Sequence, residues 1–266
     1  MSEQPRTCVV ICHWVGHKPR RLHQLLDQMG KVDAGAPFDL AIVVNGGDRR
    51  PLTLPPRFDP LRPKILNREN HGYNLGAWDH GWRTATDHDY YLFLQDECFL
   101  KRPNWIADFE FRMDHDPGVG LLGEFLMWQQ QTWDFVRAST DRDLGRSAWP
   151  EDEPTHPIDT YKALLRERGL PLTAIGEHLS TIILFTSRKI LEEVDGFPIL
   201  GDSYRQGVAV EIGFSRLLAE RGYRLALIRD RPFTVIGHRQ WTRAREIEDK
   251  WRGRARAILK RIGLKR

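Results

Sequence analysis

Residues 66–100, LNRENHGYNLGAWDHGWRTATDHDYYLFLQDECFL, decide the fold that this chain is expected to adopt. Gly72 and Gly76 stand in a polar stretch. Because glycine permits sharp turns and close backbone approach, this stretch predicts a loop suited to a ligand. A helix is predicted over residues 76–84. Residues 90–94 are a short apolar run rich in aromatic side chains, which predicts a buried strand. Three polar residues, Gln-Asp-Glu, follow that strand directly.

This polar run, Gln95, Asp96 and Glu97, stands where a ligand site is expected. In open α/β sheets, ligands bind beyond the carboxyl ends of the strands. Oxygen ligands at such a position can hold a divalent cation, and the cation can bridge a diphosphate. A solvated acidic turn is the simpler interpretation of the same three residues.

The rest of the chain alternates between strands and helices. Strands are predicted at residues 7–12, 39–44 and 64–66, and a helix at residues 19–29. This alternation predicts an α/β fold, a single domain with a mostly parallel central sheet and flanking helices. Later helices are predicted at residues 105–112, 159–168, 188–194 and 207–222, and later strands at residues 119–122, 180–185, 223–228 and 233–236. Residues 124–157 are expected to be irregular.

The composition is that of a globular protein. Of 266 residues, 41% are hydrophobic and 29% are charged, which excludes a disordered chain. No apolar run is long enough for a transmembrane helix, and no signal peptide is recognisable. Cys8 and Cys12 fall in one strand, too far apart for a disulfide. Together with Cys98 they are expected to be buried, reduced thiols, which favours a cytoplasmic location.

The C-terminus is expected to be a basic tail. The net charge of the chain is +4, and residues 243–266 carry ten Lys and Arg residues against three acids. Apolar residues alternate with these cations, a pattern typical of an amphipathic helix on an anionic membrane surface. Nucleic-acid contact and simple solubility are the competing interpretations, of which we do not expect the first. We therefore divide the chain into a globular domain, residues 1–242, and the tail.

The order of these motifs resembles the nucleotide-sugar-binding half of GT-A glycosyltransferases, most closely the family 2 type. In that family a glycine-bearing loop, N-x-G-x-x-x-G-x-N-x-G, precedes an apolar strand and then Asp-x-Asp. The resemblance extends over residues 7–240. It implies a GT-A (nucleotide-diphospho-sugar transferase) domain. It also implies sugar transfer from a nucleotide-sugar to a hydroxyl acceptor, with inversion and metal assistance, in polysaccharide or lipid-linked glycan synthesis. An enzyme of this kind would be cytoplasmic, or peripheral at the inner face of the membrane.

The resemblance implies a donor site built from three loops. The loop after the first strand lines the base and ribose pocket in the family, and Trp14 there can stack on a base. The amide of Asn45, after the second strand, stands where the family usually has Asp, which leaves the identity of the base open. The residues expected to contact the donor are His13, Trp14, Asn45, Asp48, Asn70, Gly72, Tyr73, Asn74, Gly76, Gln95 and Asp96. A structural turn with Asn capping is an alternative for the glycine-bearing loop, and it is compatible with ligand binding.

The same resemblance implies a metal site for Mn²⁺ or Mg²⁺. Glu97 aligns with the second Asp of Asp-x-Asp, Asp96 is the alternative ligand, and His238 near the end of the domain completes the set. Gln95 departs from the family at the first Asp, because an amide supplies no charge. A surface histidine is the simpler interpretation of His238.

Glu211 is the candidate catalytic residue. Residues 210–228, VEIGFSRLLAERGYRLALI, resemble a family stretch whose Glu-Asp pair provides the general base, and Glu211 falls on the second acid. Val210 and Gly213 stand where the family has further acids. Because we place Glu211 at a helix N-terminus, the helix dipole is expected to keep it ionised. Offsetting that dipole is the simpler role for the same carboxylate.

Three tryptophans, Trp128, Trp133 and Trp149, lie in the region that forms the acceptor side in the family. Sugars pack their C–H faces on aromatic rings, and tryptophan offers the largest such surface. Ordinary core packing is the alternative for each of them. For the whole chain, two other functions stay open: a sugar nucleotidyltransferase, and a degenerate transferase domain that binds a glycan or a protein partner.

Overall fold

The structure is a computed structural model that describes residues 6–144 and 155–243. Trp149 and residues 244–266 of the expected basic tail lie outside the described residues. In chain order the elements are β1 (Thr7–Trp14), α1 (Arg20–Met29), β2 (Phe38–Asn45), a short 3-10 helix (Pro56–Leu61), β3 (Lys64–Arg68), α2 (Tyr73–Thr84), β4 (Tyr90–Gln95), β5 (Cys98–Leu100), α3 (Ala107–His115), β6 (Val119–Gly123), β7 (Leu126–Met127), α4 (Trp133–Leu144), α5 (Pro157–Glu167), β8 (His178–Leu179), β9 (Ile183–Ser187), α6 (Arg188–Glu193), α7 (Tyr204–Glu220), β10 (Arg224–Leu227) and β11 (Ile236–His238).

Seven of the strands form the central sheet, in the order β10-β6-β9-β4-β1-β2-β3. Strand β1 pairs in parallel with β2 and β4, β2 with β3, and β6 with β10, whereas β9 runs antiparallel to both β4 and β6. The prediction of a mostly parallel α/β sheet is therefore confirmed. The side-chain pattern explains it, since β1, β2 and β4 are almost continuously apolar and buried on both faces, as parallel strands are.

A hydrophobic core lies on each face of this sheet. On one face, α1 contributes Leu22, Leu25 and Leu26 to a cluster that also contains Phe109 of α3 and Trp105 just before it. The cluster on the other face contains residues of α2, α5 and α7. Because the two clusters fix every second side chain of β1 and β4, the polar residues at the carboxyl ends of these strands are held at one edge of the sheet.

Helix α4 contradicts the expectation that residues 124–157 are irregular. Its segment contains no proline or glycine, and Trp133 and Val136, three residues apart, are both buried in the core. The hydroxyl of Thr132 accepts a hydrogen bond from the backbone N–H of Phe135 at 3.3 Å, in the manner of an N-cap. The prolines that suggested a loop all follow the helix in the sequence.

Helix α7 begins earlier than the sequence prediction of residue 207. Ser203 and Gln206 form a capping box, in which the hydroxyl of Ser203 accepts from the N–H of Gln206 and the side chain of Gln206 accepts from the N–H of Ser203. The helix therefore starts at Tyr204. Glu211 lies about two turns inside it, not at the N-terminus as expected.

Two short ribbons flank the sheet edge. Strand β11 pairs with β5, which places His238 opposite Cys98, and β7 pairs with β8. Buried Glu124 fixes the segment that leads into β11. Its carboxylate accepts hydrogen bonds from the backbone N–H groups of Thr234, Val235 and Ile236 at 2.6–2.8 Å.

All three cysteines are buried and free, as expected. Among the described helices, none is both long enough and apolar enough to span a bilayer.

Candidate functional site

A cavity of about 540 Å³ opens where β1, β2 and β4 end. We call it the first cavity. It is lined by Cys12, Trp14, His17, Asn45, Asn70, Tyr73, Asn74, Gln95, Asp96, Glu97, Asp202 and Gln240. Most of the residues expected to bind a donor are therefore brought together here. His13, Gly72 and Gly76 lie behind its lining, and Asp48 is exposed on the turn after β2, with its carboxylate 3.8 Å from Arg49.

A second cavity, of about 470 Å³, adjoins the first. The two share a wall made by Tyr73, Asn74, Gln95 and Gln240. Beyond that wall, the second cavity is lined by Met127, Trp128, Tyr161, His178, Ser180, Thr181, Ile182, Tyr204, Gly207, Val208, Glu211 and Trp241. The carboxylates of Asp96 and Glu97 thus lie on one side of the wall and that of Glu211 on the other.

Asp96 is held by a buried histidine. Its Oδ2 lies 2.6 Å from Nδ1 of His13, and the side chain of His13 is 2% exposed. His13 is the penultimate residue of β1, so the pairing of β1 with β4 brings these two side chains together. His13 therefore orients Asp96 from behind, and does not itself line the first cavity.

Glu97 lies between a cation and a histidine. One carboxylate oxygen pairs with Arg21 of α1, and the other lies 3.5 Å from Nε2 of His238. Burial lowers the pKa of His238 to about 4, with Asp96 opposing the shift. Neither ring nitrogen of His238 has a hydrogen-bond partner among the described residues, although the ring is 2% exposed. A neutral, unpartnered buried imidazole beside a carboxylate fits metal ligation.

A complete metal site is nevertheless absent from the described residues, since no group of three His, Cys, Asp or Glu side chains is arranged to hold an ion. The carboxylate of Asp96 is already in contact with the ring of His13, and Gln95 donates its amide N–H to the carbonyl of Thr181 at 2.9 Å. The protein's own donor set is therefore at most Glu97 and His238, and a bound cation would need further oxygens from its ligand.

The glycine-bearing loop is fixed by groups that the sequence interpretation did not identify. Asn45 donates to the carbonyl oxygen of Tyr73 at 2.8 Å and accepts from Arg68 at 3.0 Å. Arg68 also donates to the carbonyl oxygen of His71, and burial lowers the pKa of its guanidinium. Asn45 thus stabilises the loop instead of presenting a free amide to the first cavity.

Asp202, which precedes α7, completes this anchoring. Its carboxylate accepts the N–H of Gly72 at 2.6 Å and contacts His71 at 3.0 Å, and these hydrogen bonds lower the pKa of Asp202. Gly72 has a φ of 72°, where a side chain is disfavoured. Gly76 has no room for a side chain, because a Cβ would lie 2.2 Å from the carbonyl oxygen of His71. Both glycines are therefore required by the loop geometry.

The contacts of Glu211 differ from the expected ones. A helix dipole acts only within the first turn, and Glu211 lies beyond that turn. Instead, its Oε2 accepts both the N–H and the hydroxyl of Thr181, each at 2.6 Å. Its Oε1 lies 3.0 Å from Nε2 of His178, which is 1% exposed. Glu211 is therefore held by Thr181 and lies in contact with His178.

The three tryptophans expected on the acceptor side have different environments. Trp128 lines the second cavity and packs edge-on against His178, with ring centroids 4.8 Å apart. Trp133 is buried, and its indole N–H donates to the carbonyl of Thr173 at 2.8 Å, so core packing is the correct interpretation for it. Trp149 lies outside the described residues.

Several residues of the site escaped the sequence interpretation, namely Arg21, Arg68, His178, Thr181, Asp202, Tyr204 and Gln240. Most of them stand on segments that are far apart in the sequence and meet only in the fold. The one local signal was the Ser203–Gln206 capping box, which would have moved the start of α7 and placed Tyr204 on the same helix as Glu211.

Comparison with solved structures identifies the fold. The mannosyltransferase PcManGT of Pyrobaculum calidifontis, in complex with GDP-Man and Mn²⁺, matches with a TM-score of 0.51 and 15% identity, over 86% of this chain and 56% of that one. TarS of S. aureus in complex with UDP has a TM-score of 0.49 and 13% identity, over 85% and 59% of the two chains. CMP:2-keto-3-deoxy-manno-octonic acid synthetase complexed with CTP has a TM-score of 0.44 and 14% identity, over 84% and 88%.

The likeness to PcManGT shows that this chain has a GT-A-like fold, which confirms the resemblance drawn from the motifs. The chain spans little more than half of the length of PcManGT and of TarS. The sequence matches no protein-family model and no curated protein.

Proposed function

We propose that this protein transfers a sugar from a nucleotide-sugar donor to a hydroxyl acceptor, with inversion at the anomeric carbon. One observation carries the proposal. Two cavities share a wall at the carboxyl edge of the sheet, with Asp96 and Glu97 on one side of that wall and Glu211 on the other. A donor in the first cavity and an acceptor in the second would present the anomeric carbon and the attacking hydroxyl to each other across the wall.

The first cavity suits the nucleotide part of the donor. Trp14 is 45% exposed at its rim and can stack on a base, and Asn70, Asn74 and Gln95 offer amides to the ribose and phosphates. Among the described residues that line this cavity, three are carboxylates and none is Lys or Arg. A diphosphate there would therefore need a counter-cation.

For that cation we propose Mn²⁺ or Mg²⁺, held by Glu97 and His238 with Asp96 close by. The unpartnered nitrogens of His238 and their 3.5 Å approach to Glu97 support this assignment. When bound, the ion would stabilise the departing diphosphate as a Lewis acid. Arg21, which now pairs with Glu97, must then move, or its charge must take the place of the ion.

Glu211 is the base in this proposal. As the acceptor oxygen forms its bond to the anomeric carbon, the hydroxyl proton passes to the carboxylate of Glu211. The bond from that carbon to the diphosphate oxygen breaks, and its electron pair leaves with the diphosphate. Attack from the side opposite the leaving group inverts the anomeric centre. Thr181 keeps the carboxylate in place while this occurs.

The second cavity favours an uncharged sugar as the acceptor. Tyr73, Trp128, Tyr161, Tyr204 and Trp241 give it five aromatic side chains, on which C–H faces can pack. None of the described residues that line it is Lys or Arg, so a phosphate or carboxylate on the acceptor would meet only Glu211. The wider setting that we propose is polysaccharide or lipid-linked glycan synthesis.

The test is a transfer assay. Purified protein is incubated with UDP-, GDP-, dTDP- or CMP-sugars, with Mn²⁺ or Mg²⁺ and a panel of neutral oligosaccharides, and nucleotide release and the glycoside product are measured. We expect acceptor-dependent release with one donor, and loss of turnover in Glu211→Gln with donor binding retained. Glu220→Gln, at the exposed end of the same helix, is the matched control.

The same assay separates the alternative functions. A sugar nucleotidyltransferase would instead join a sugar phosphate to a nucleoside triphosphate, and pyrophosphate would leave the triphosphate. A degenerate domain would bind a glycan without turnover with any donor. Turnover that is unchanged in Glu211→Gln would contradict the role that we assign to this residue.

A further inference from the structure

His178 is a buried titratable side chain to which the proposed reaction assigns no role. It is the first residue of β8, and its ring is 1% exposed. Nδ1 lies 2.7 Å from the carbonyl oxygen of Gly176, and Nε2 lies 3.0 Å from Oε1 of Glu211. The imidazole therefore bridges a backbone carbonyl and the carboxylate that we propose as the base.

These two contacts determine how many protons the ring must carry. A carbonyl oxygen only accepts, so Nδ1 must carry a hydrogen to make its hydrogen bond with Gly176. A neutral ring with its hydrogen on Nδ1 would turn the lone pair of Nε2 toward an ionised Glu211, and two acceptors 3.0 Å apart repel each other. The second contact is attractive only if one more proton lies between Nε2 and Oε1.

We propose that His178 is a positioning residue that holds Glu211 through this additional proton, as an imidazolium paired with a carboxylate. The pair is structural in origin, and only its catalytic consequence rests on the proposed function. Thr181 donates two hydrogen bonds to the same carboxylate, which leaves Glu211 as the acceptor in all three contacts. A carboxylate next to a cation and two neutral donors stays ionised, as a base must.

The consequence is that one atom of Glu211 is selected for the reaction. A carboxylate oxygen accepts about two hydrogen bonds. Among the contacts of the described residues, Oε2 has two donors, both from Thr181, whereas Oε1 has only His178. The remaining acceptor position on Oε1 is the one that can take the proton of an acceptor hydroxyl. His178 therefore fixes the direction from which that hydroxyl must approach.

The surroundings of the pair hold the ring in place. Trp128 packs edge-on against His178, and next to His178 the carboxylate of Glu177 lies 4.0 Å from Arg216, which is buried. The other titratable side chains of the cavity wall are Tyr73, Tyr161 and Tyr204. Tyrosines are neutral near neutral pH. Glu211 is therefore the negative charge in contact with the ring.

Nuclear magnetic resonance of the full-length protein, with ¹⁵N-labelled histidine, measures the proton directly at neutral pH. We expect both ring nitrogens of His178 to carry protons in the wild type. In Glu211→Gln the charge is removed, and the ring is expected to become neutral with its proton on Nδ1. The signal that changes between these two proteins identifies His178 even if a variant at residue 178 does not fold.

Asp39→Asn is the matched control, because it removes the carboxylate that contacts Nε2 of His88 at 2.9 Å and should leave His178 unchanged. A neutral His178 ring in the wild type would overturn the proposal. So would an imidazolium that persists in Glu211→Gln. Neither result depends on turnover, so a failure of the proposed function is distinguishable from a failure of this inference.

Steady-state kinetics test the catalytic consequence. A misplaced reacting group can cost about 100-fold in rate, so we expect His178→Leu to lower kcat by about this factor with little change in the KM of the donor. His178→Gln can still donate one hydrogen bond to Glu211, and we expect it to recover part of the loss. Equal kcat values for His178→Leu and the wild type would contradict a positioning role.

Discussion

The two cavities lie side by side at one edge of the sheet, yet they hold their carboxylates in different ways. In the first cavity, Asp96 and Glu97 are paired with His13 and Arg21 and stand beside His238, whose ring nitrogens have no hydrogen-bond partner. In the second, the lining is largely aromatic, and Glu211 accepts two hydrogen bonds from Thr181 and lies 3.0 Å from His178.

This difference indicates that the two cavities are suited to different ligands. A group of carboxylates around an unpartnered imidazole is suited to a cation and the anion that it carries. A single carboxylate with strong donors, in an aromatic wall, is suited to an uncharged ligand and one proton transfer. Changes on one side should therefore alter donor binding, and changes on the other should alter turnover or acceptor binding.

The largest effect is expected on the second side. Removal of a general base typically lowers the rate by about 10²- to 10⁴-fold, and we expect Glu211→Gln to lower kcat within this range. The measurement is kcat with saturating donor, together with donor affinity by calorimetry. A loss of donor affinity instead of turnover in Glu211→Gln would contradict the assignment of donor binding to the first cavity and of turnover to the second.

Glu124 gives a second large effect, on stability. Burial raises the pKa of this carboxyl to about 7, although three backbone N–H groups oppose the shift. The folded protein then keeps a proton that the unfolded chain releases near pH 4.5. The contribution of Glu124 to the free energy of unfolding is therefore fully present below that pH and is lost as the pH rises through about 7.

The loss is expected to be about 3 kcal/mol at most, from 1.36 kcal/mol for each pKa unit. Urea unfolding of the wild type and Glu124→Gln across this pH range measures it, and only the wild type should show the decline. Parallel pH profiles would mean that the carboxylate form of Glu124 is already fully stabilised by its backbone donors.

Glu97→Gln tests the first side. If Glu97 and His238 hold a cation, the variant should bind Mn²⁺ and a nucleoside diphosphate about 10- to 100-fold more weakly, because one charged ligand is lost. Electron paramagnetic resonance of free Mn²⁺ reports the metal affinity. Glu69→Gln, on the exposed loop before α2, is the control. Unchanged affinity would assign neutralisation of the diphosphate to Arg21 and its basic neighbours, Lys18 and Arg20.

Trp128 and Trp133, near the middle of the chain, provide a matched pair. Loss of a stacking ring in the second cavity should raise the KM of the acceptor about 10-fold in Trp128→Ala, with the KM of the donor unchanged. Trp133→Phe should lower Tm instead, because this indole is buried and hydrogen-bonded to Thr173. A reversed pattern would exchange the roles of the two residues.

The smallest effect is expected for Asp48→Asn. The motifs predicted that Asp48 contacts the base, but its side chain is exposed and does not line the first cavity. We expect donor affinity to change less than about 2-fold, as for most surface substitutions. A larger loss, measured by calorimetry, would mean that the turn after β2 closes over the nucleotide when it binds.

The fold and the first cavity were predictable because their signals are local. The glycine-bearing loop, the apolar strand and Gln95-Asp96-Glu97 follow one another within residues 66–100, and apolar periodicity gave most of the strands. Helix α4 was missed because the prolines and charges that follow it dominated the segment.

The second cavity was not predictable in the same way. Glu211 was identified from a motif, but its expected place at a helix N-terminus was wrong, since the helix begins at Tyr204 and not beside Glu211. Its actual partners are His178 and Thr181, which are 33 and 30 positions away in the sequence. Only the packing of α7 against β8 brings them together, and no local pattern encodes that contact.

The central claim is that the first cavity binds a nucleotide-sugar through Glu97 while Glu211 acts only on turnover. Thermal unfolding with UDP, GDP, dTDP and CMP and their common sugars, with and without Mn²⁺, tests it most directly in the wild type, Glu97→Gln and Glu211→Gln. We predict stabilisation by one nucleotide, worth about 2.7 kcal/mol at a ligand concentration 100 times Kd. It should be retained in Glu211→Gln and weakened in Glu97→Gln. No stabilisation of the wild type by any of these nucleotides would contradict the claim.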